Sequence, residues 1–183
     1  SMSFGERTMY IPFPDGIYTT VMSEPSAEPA PLIIFQNPVQ PLVSENGIYL
    51  VSRIVPGISV FRFDGEVRYQ QKTSSLSVCS PIAIGDFIFA GDNGGTLYKF
   101  DSRLTLLATR TLEESIICLV TGPEKTLFVL TGTGTIYKVH SQDLSLQGEI
   151  SLDTSPDAVL YLYKQPVLID GNLVAGTEDG RIV

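Results

Sequence analysis

The sequence has no tryptophan, one histidine and only two cysteines, Cys79 and Cys118, in 183 residues. Two cysteines allow a single disulfide at most, so a small domain held together by a disulfide framework is excluded. The Cys and His residues do not have the spacing of a zinc site. No apolar run reaches the 18 residues that would suggest a membrane-spanning helix, so we expect no membrane span in this segment.

Positive charge is also scarce, with 12 Lys and Arg against 20 Asp and Glu, a net charge of −8. The basic residues are scattered singly, so a nucleic acid or an anionic membrane surface would be repelled and neither is an expected partner. No Asn-X-Ser/Thr glycosylation site is present. Together with the few cysteines, this predicts an intracellular location, cytoplasmic or nuclear.

What the chain does contain is apolar residues and turn formers. It is 43% hydrophobic and 17% charged, with 16 Gly and 12 Pro. This composition is typical of a compact β-rich domain with many turns, and the length suffices for one well-packed core.

A repeat dominates the sequence. The stretch "SVCSPIAIGDFIFAGDNGGTLYKF", residues 77–100, recurs 39 positions later without a gap from Cys79 onward, which makes Cys79 and Cys118 equivalent. The C-terminal stretch 166–183 matches it at an offset of 85, so the last residues fall inside a strand of the repeat. A weaker earlier copy places Phe63 on Phe100 at an offset of 37, with extra turn residues around 54–56.

Each unit of about 40 residues reads as four antiparallel strands. Apolar residues alternate in "TLYKF" as in a half-buried strand, "DFIFAG" is continuously apolar as in a strand buried on both faces, and Gly-rich turns join them. Tandem four-stranded units predict an all-β fold, a partial β-propeller of about four antiparallel blades whose last blade is incomplete. The predicted blades span 42–72, 73–112, 113–152 and 153–183.

The N-terminal segment 3–41 differs from the repeats. Residues 8–22 predict a hairpin about Pro14-Asp15-Gly16, residues 23–31 an exposed or disordered loop, and the stretch from Leu32 a strand. The hairpin is a candidate to supply strands that the last blade lacks. Three arrangements stay open: a piece of a larger propeller with open edges, two copies that complete each other, and a small irregular domain closed by the N-terminal strands.

The pattern "SPIAIGDFIFAGDNGGTLYKFD", with "FDGEVRYQ" at residues 63–70, resembles the PQQ-like propeller repeat and shares turns with WD-type propellers. That family includes both quinoprotein dehydrogenases and non-catalytic assembly proteins. The resemblance implies a propeller fold over residues 42–183. The docking tryptophans and the calcium-and-cofactor site of the quinoproteins have no counterpart here, so no catalytic residue, metal or cofactor is carried over.

The side chains that could serve catalysis, metal binding or redox chemistry are each predicted to have a structural role. His140 and Asp92-Asn93 are predicted turn residues, because neither the partners of a catalytic base nor the ligand series of a calcium loop accompany them. Cys79 and Cys118 are predicted to fill the core, with a disulfide as the alternative. The equivalent residues Tyr98 and Tyr137 are predicted to be architectural. The acidic residues Glu113, Glu114, Asp153 and Asp157 are interpreted as solvated loop charges.

Two apolar segments and one strand are candidates for contact with partners. The first segment follows the Pro-rich stretch and comprises Leu32, Ile33, Ile34 and Phe35. The second is an insertion that carries Tyr161 and Tyr163. The candidate open-edge strand comprises Arg181, Ile182 and Val183.

These observations predict a non-catalytic propeller module that acts as a protein–protein interaction or assembly scaffold, with no cofactor and with a protein partner or a second copy bound at an open sheet edge. Two alternatives remain. One is a luminal domain resembling those of stress-sensor kinases, which dimerises through open sheet edges. The other is a fragment of an enzymatic or ligand-binding propeller whose site lies outside these residues.

Overall fold

The computed structural model describes residues 8–21, 23, 26–151, 166–169 and 172–174. Seventeen β-strands and no helix occur in these ranges. The strands form three four-stranded sheets, a three-stranded sheet before them and a two-stranded one after them. All pairings are antiparallel and join strands that are adjacent in sequence. An all-β repeat of antiparallel sheets is the architecture that the sequence predicts.

The N-terminal sheet contains β1 (Thr8–Phe13), β2 (Gly16–Val21) and β3 (Ala30–Ile34). The β1–β2 turn is Pro14-Asp15, as the sequence indicates. In the described strands the hairpin pairs with β3, and the C-terminal strands pair with each other. Among the described residues the hairpin therefore belongs to a sheet whose third strand is β3, and its pairing with the last copy stays a prediction.

The three four-stranded sheets follow in order along the chain. The first contains β4 (Leu42–Ser44), β5 (Gly47–Val51), β6 (Ile58–Phe61) and β7 (Val67–Gln71). The second contains β8 (Ile82–Ile84), β9 (Phe87–Gly91), β10 (Thr96–Phe100) and β11 (Leu106–Thr111). The third contains β12 (Ile116–Thr121), β13 (Thr126–Thr131), β14 (Thr135–His140) and β15 (Leu146–Ser151). The C-terminal pair is β16 (Val167–Ile169) and β17 (Asn172–Val174).

Successive sheets pack face to face, because the second strand of each is apolar on both sides. In β5, Ile48 and Leu50 pack with Ile17 and Ile33 of the N-terminal sheet. Alternate residues of the same strand point the other way. Tyr49 and Val51 accordingly join a separate cluster with the second sheet, which contains Ile88, Ala90, Tyr98 and Phe100. The continuous apolar runs of the sequence are thus strands buried on both faces.

The structure corrects the register of the earliest copy. The bulge in the third strand falls at Phe61 in the first sheet and at Phe100 in the second, 39 residues apart. Phe61 is 6% exposed, whereas Phe63, which the sequence offset of 37 places on Phe100, is 50% exposed. The sequence alignment matched two aromatic residues, but only the strand pairing determines which of the two faces the core.

Hydrogen bonds tie the first and second four-stranded sheets to the outer turn of the sheet that follows each, meaning the turn between its third and fourth strands. The Tyr49 hydroxyl donates to the Ser102 carbonyl at 2.8 Å. The Lys99 ammonium donates to the Gln142 carbonyl at 2.6 Å and lies 3.9 Å from the centre of the Phe87 ring. Lys99 is only 5% exposed, and this burial lowers the pKa of its ammonium group. Carbonyl and ring contacts replace the water that this cation loses.

Candidate functional site

The buried carboxylate of Asp92, 1% exposed, holds a turn in place. Its oxygens accept hydrogen bonds from the backbone N–H groups of Ser75 at 3.0 Å and Thr96 at 2.9 Å. They also accept one from the Tyr98 hydroxyl at 2.7 Å. Because its carboxylate accepts hydrogen bonds from Ser75 and from Thr96, Asp92 links the β7–β8 connection to the β9–β10 turn. The sequence interpretation of Asp92 as a turn residue agrees with this role.

Glu114 plays the corresponding part in the third sheet, and here the interpretation as a solvated loop charge is wrong. Its carboxylate accepts hydrogen bonds from the hydroxyls of Thr131 at 2.6 Å, Tyr137 at 3.1 Å and Thr133. Burial raises the pKa of Glu114, but the hydrogen bonds from these hydroxyls outweigh it and hold the pKa below its usual value. Burial and the neighbouring Glu114 in turn raise the pKa of Tyr137.

The two clusters are equivalent in the repeat but obtain their carboxylate from opposite sides. At the offset of 39, Ser75 corresponds to Glu114, Asp92 to Thr131 and Tyr98 to Tyr137. In the second sheet the turn residue is acidic and the connection residue small, and in the third sheet the reverse holds. Each tyrosine binds a carboxylate in this way, which supports an architectural role for both.

The two cysteines lie in the core without a disulfide. Cys79 is 3% exposed and Cys118 5% exposed, and both are free thiols. Cys79 belongs to the cluster between the second and third sheets, whereas Cys118 belongs to the cluster on the opposite face of the third sheet. Burial raises the pKa of Cys79 to about 11 and that of Cys118 to about 12. The predicted core-filling role agrees with these surroundings.

Because the thiolate is the reactive form, we expect both cysteines to resist alkylation in the folded protein. At neutral pH, labelling by iodoacetamide should be on the order of a hundredfold slower than for an exposed cysteine and should reach the exposed rate in denaturant. Peptide mass spectrometry after timed labelling measures both rates. Rapid labelling of Cys79 in the native protein would show that the thiol is accessible and would contradict the core assignment.

His140 ends β14 in a turn, as predicted. Its Nδ1 lies 3.4 Å from the Asp143 carboxylate, which also accepts from the N–H and hydroxyl of Ser145. These hydrogen bonds, chiefly those from Ser145, lower the pKa of Asp143 to about 2. The cluster fixes the outer turn. Among the described residues, no group of three or more His, Cys, Asp or Glu side chains is arranged to hold a metal ion.

The predicted partner segment divides into core and surface. Ile33 is 2% exposed and packs in the core beside the partly buried Leu32. Phe35 packs edge-on against Phe61, with ring centres 5.8 Å apart. Ile34, by contrast, is 91% exposed. Ile34 and the accessible parts of Leu32 and Phe35 are therefore available to a partner, whereas Ile33 is not. Tyr161, Tyr163, Arg181, Ile182 and Val183 lie outside the described residues and stay predictions.

Ile34 and Phe35 line a surface groove of about 500 Å³, which we call the loop groove. Its other side is formed by the β5–β6 loop, residues 52–57, and by the end of β7 with Lys72. Val55 in this loop is 52% exposed and its neighbour Ile54 50% exposed. The extra residues around 54–56 were visible in the sequence as a longer turn, but turn length alone does not show what the turn faces.

The segment between β3 and β4, residues 35–41, which we call the connector, lines a second cavity of about 870 Å³, the connector cleft. Asn37 and Gln40 of the connector, Arg53 of the β5–β6 loop and Phe13 of the N-terminal sheet lie along it. Residues 78–80 of the β7–β8 connection and 117–118 of β12 line the opposite side, so the cleft borders the buried Cys79 and Cys118. The sequence did not point to Arg53 or to this cleft, because the lining residues come from four different sheets, nor to Lys72, which lines the groove.

Antiparallel four-stranded sheets, repeated in tandem and packed face to face, define a β-propeller, here a partial one of about four blades. The chain shares this fold with BamB from Moraxella catarrhalis, at 19% identity and a TM-score of 0.65 over 79% of this chain and 44% of that one. It is similar also to the WD40 β-propeller domain of Doa1, at 15% identity and a TM-score of 0.71 over 92% of this chain and 56% of that one.

A third similar structure is the computationally designed Ika8 protein, at 13% identity and a TM-score of 0.74 over 98% of this chain and 55% of that one. The chain therefore spans about half the length of these three structures. No protein-family model and no curated protein matches the sequence. At these identities the similarity establishes the fold. The described residues contain no helix that is long and apolar enough to cross a membrane.

Proposed function

We propose that this chain is a non-catalytic propeller module that binds a protein partner. The observation that carries the proposal is the loop groove, where Ile34, 91% exposed, and Val55, 52% exposed, line one depression on a scaffold of packed sheets. Large apolar side chains that are grouped and held by rigid elements are typical of protein-binding surfaces. The general use of propellers as interaction scaffolds is consistent with this role.

The polar groups of the described residues support a role without catalysis. Asp92 and Glu114 each accept three hydrogen bonds, from turn donors and tyrosines within the fold. A general base must have a free lone pair directed at a substrate proton, which these hydrogen bonds oppose. The free, buried thiols are consistent with the proposed intracellular location.

The proposal predicts that Ile34→Asp abolishes partner binding and leaves the fold intact. Since Ile34 is almost fully exposed, its replacement should change the free energy of unfolding by less than about 0.5 kcal/mol. The matched control is Ile150→Asp, because Ile150 is also an exposed isoleucine, at 65%, but lies on the remote edge strand β15. Affinity capture from the source cell with quantitative mass spectrometry should show a protein retained by the wild type and by Ile150→Asp. Its recovery should fall by at least about tenfold with Ile34→Asp.

A captured set that is unchanged by Ile34→Asp would contradict the proposal. Self-association is the second candidate, favoured by β15, whose six residues are all exposed and which has no strand on its outer side in the described part of the chain. Such an edge offers unpaired backbone groups to another strand. In the same capture a differently tagged copy of the chain detects self-association, and Ile150→Asp should then be the variant that loses it.

A further inference from the structure

The loop groove and the connector cleft are adjacent parts of one surface. Residues 34–36 line the groove and residues 37–40, which follow directly, line the cleft. The β5–β6 loop contributes to both, since Arg53 lines the cleft while Val55 and Pro56 line the groove. The segment 34–40 and the β5–β6 loop thus form a common border between the groove and the cleft.

This surface is held in position by Ser52, which is 2% exposed. Its hydroxyl donates to the Gln36 carbonyl at 2.7 Å and accepts from the N–H groups of Ile54 at 3.1 Å and Val55 at 3.2 Å. The N–H of Arg53 donates to the Asn37 carbonyl at 3.0 Å. The loop and the connector are therefore joined before a partner arrives, which reduces the entropy lost on binding.

The charge of the surface is opposite in sign to that of the chain. The described residues lining the cleft and the groove include the cations Arg53 and Lys72 and no Asp or Glu. The chain as a whole has 20 acidic residues and a net charge of −8. Asp15 lies in the adjacent β1–β2 turn but lines neither depression, and its carboxylate accepts a hydrogen bond from the Tyr18 hydroxyl at 2.8 Å. Neither Arg53 nor Lys72 belongs to an ion pair within the described ranges.

We infer that this surface binds an extended peptide segment in which apolar residues are interspersed with Asp or Glu. Apolar side chains of the segment would cover Ile34 and Val55, and its carboxylates would pair with Arg53 and Lys72. An acid-free patch on an acidic protein attracts an acidic segment locally, whereas the remaining surface repels it, so charge complementarity favours one binding site. This inference rests on the proposed function and specifies the chemistry of its partner.

The test uses short fluorescent peptides with apolar residues at alternate positions and Glu, Gln or Lys at the positions between them. Fluorescence anisotropy against the whole chain should give a Kd for the Glu peptide at least about tenfold below that for the Gln peptide, and little binding of the Lys peptide. The preference for Glu should weaken as the salt concentration rises from about 0.05 M to 0.5 M.

The double variant Arg53→Glu/Lys72→Glu should reverse the order and bind the Lys peptide best. Its control is Arg103→Glu/Lys138→Glu, which makes the same change in net charge at exposed residues of the second and third sheets and should keep the preference for Glu. Equal binding of the Glu and Lys peptides, or the same loss in both double variants, would overturn the inference. If Ile34→Asp still abolishes partner capture in that case, the interaction role stands and only the acidic character of the partner is wrong.

Discussion

Replacing Asp92 with threonine is expected to lower the free energy of unfolding by about 3 kcal/mol. The change removes a buried carboxylate that receives hydrogen bonds from Tyr98, Ser75 and Thr96, and hydrogen bonds to charged groups contribute roughly 1.5–3 kcal/mol. The shorter side chain also leaves the Tyr98 hydroxyl, in a side chain only 4% exposed, without its carboxylate partner. Urea unfolding followed by tyrosine fluorescence or circular dichroism measures the change.

The third sheet indicates a second substitution that should restore part of the stability lost by Asp92→Thr. Threonine at 92 reproduces the arrangement of the third sheet, where Thr131 stands in the turn and Glu114 provides the carboxylate from the connection. Adding Ser75→Glu to Asp92→Thr should therefore recover at least about 1 kcal/mol of the loss, whereas Ser75→Glu alone should destabilise by placing a second carboxylate beside Asp92. Strictly additive effects of the two substitutions would contradict the equivalence of the clusters.

Phe61→Ala should destabilise the protein by about 3–4 kcal/mol, whereas Phe63→Ala should cost less than about 1 kcal/mol. Phe61 is 6% exposed and packs between the N-terminal sheet and the first four-stranded sheet, with Phe35 against its ring. Phe63 is 50% exposed in the outer turn. The two variants remove the same atoms, so the difference in midpoint of thermal or urea unfolding reports burial alone.

A larger loss for Phe63→Ala than for Phe61→Ala would restore the alignment with an offset of 37 and overturn the register described above. Phe100→Ala provides an internal reference, because Phe100 is fully buried at the position equivalent to Phe61. It should cost about as much as Phe61→Ala.

Much of the fold could be predicted from the sequence because its signals are local and repeated. The runs "DFIFAG" and "LFVLTG" are continuously apolar and became the doubly buried strands β9 and β13. The Gly-rich turns predicted hairpins, and Gly95 and Gly134 do adopt positive φ angles of 82° and 91°. Side-chain alternation and turn chemistry act within a few residues, so they can be recognised in the sequence without knowing how the sheets pack.

The candidate site was predicted only in part. The apolar stretch 32–35 was identified from composition, but its division into buried Ile33 and exposed Ile34 depends on which face of β3 meets the next sheet. In the sequence Arg53 and Lys72 are single basic residues in an acidic chain, and nothing near them indicates a binding site. They contribute to the candidate site because folding brings Arg53 beside residues 37–40 and Lys72 beside residues 34–36. These contacts join residues that are far apart in sequence.

Glu114 shows the same limit for electrostatics. In the sequence it is one of two adjacent acidic residues before an apolar strand, which is the usual appearance of a solvated loop. In the fold the turn after β13 brings Thr131 and Tyr137 to its carboxylate. Neither the identity of these partners nor the lowered pKa of Glu114 follows from residues adjacent to it in sequence.

The sequence by itself determined the β-strand repeat, the turn positions and the equivalence of residues 39 apart in the second and third units. Those properties follow from local periodicity and backbone preference. Only the tertiary structure decided which aromatic residue of the first unit is buried, that β3 pairs with the hairpin, and which exposed side chains line the groove and the cleft. Each of these depends on the face that a strand presents to its neighbouring sheet, and a shift of one residue in register reverses that face.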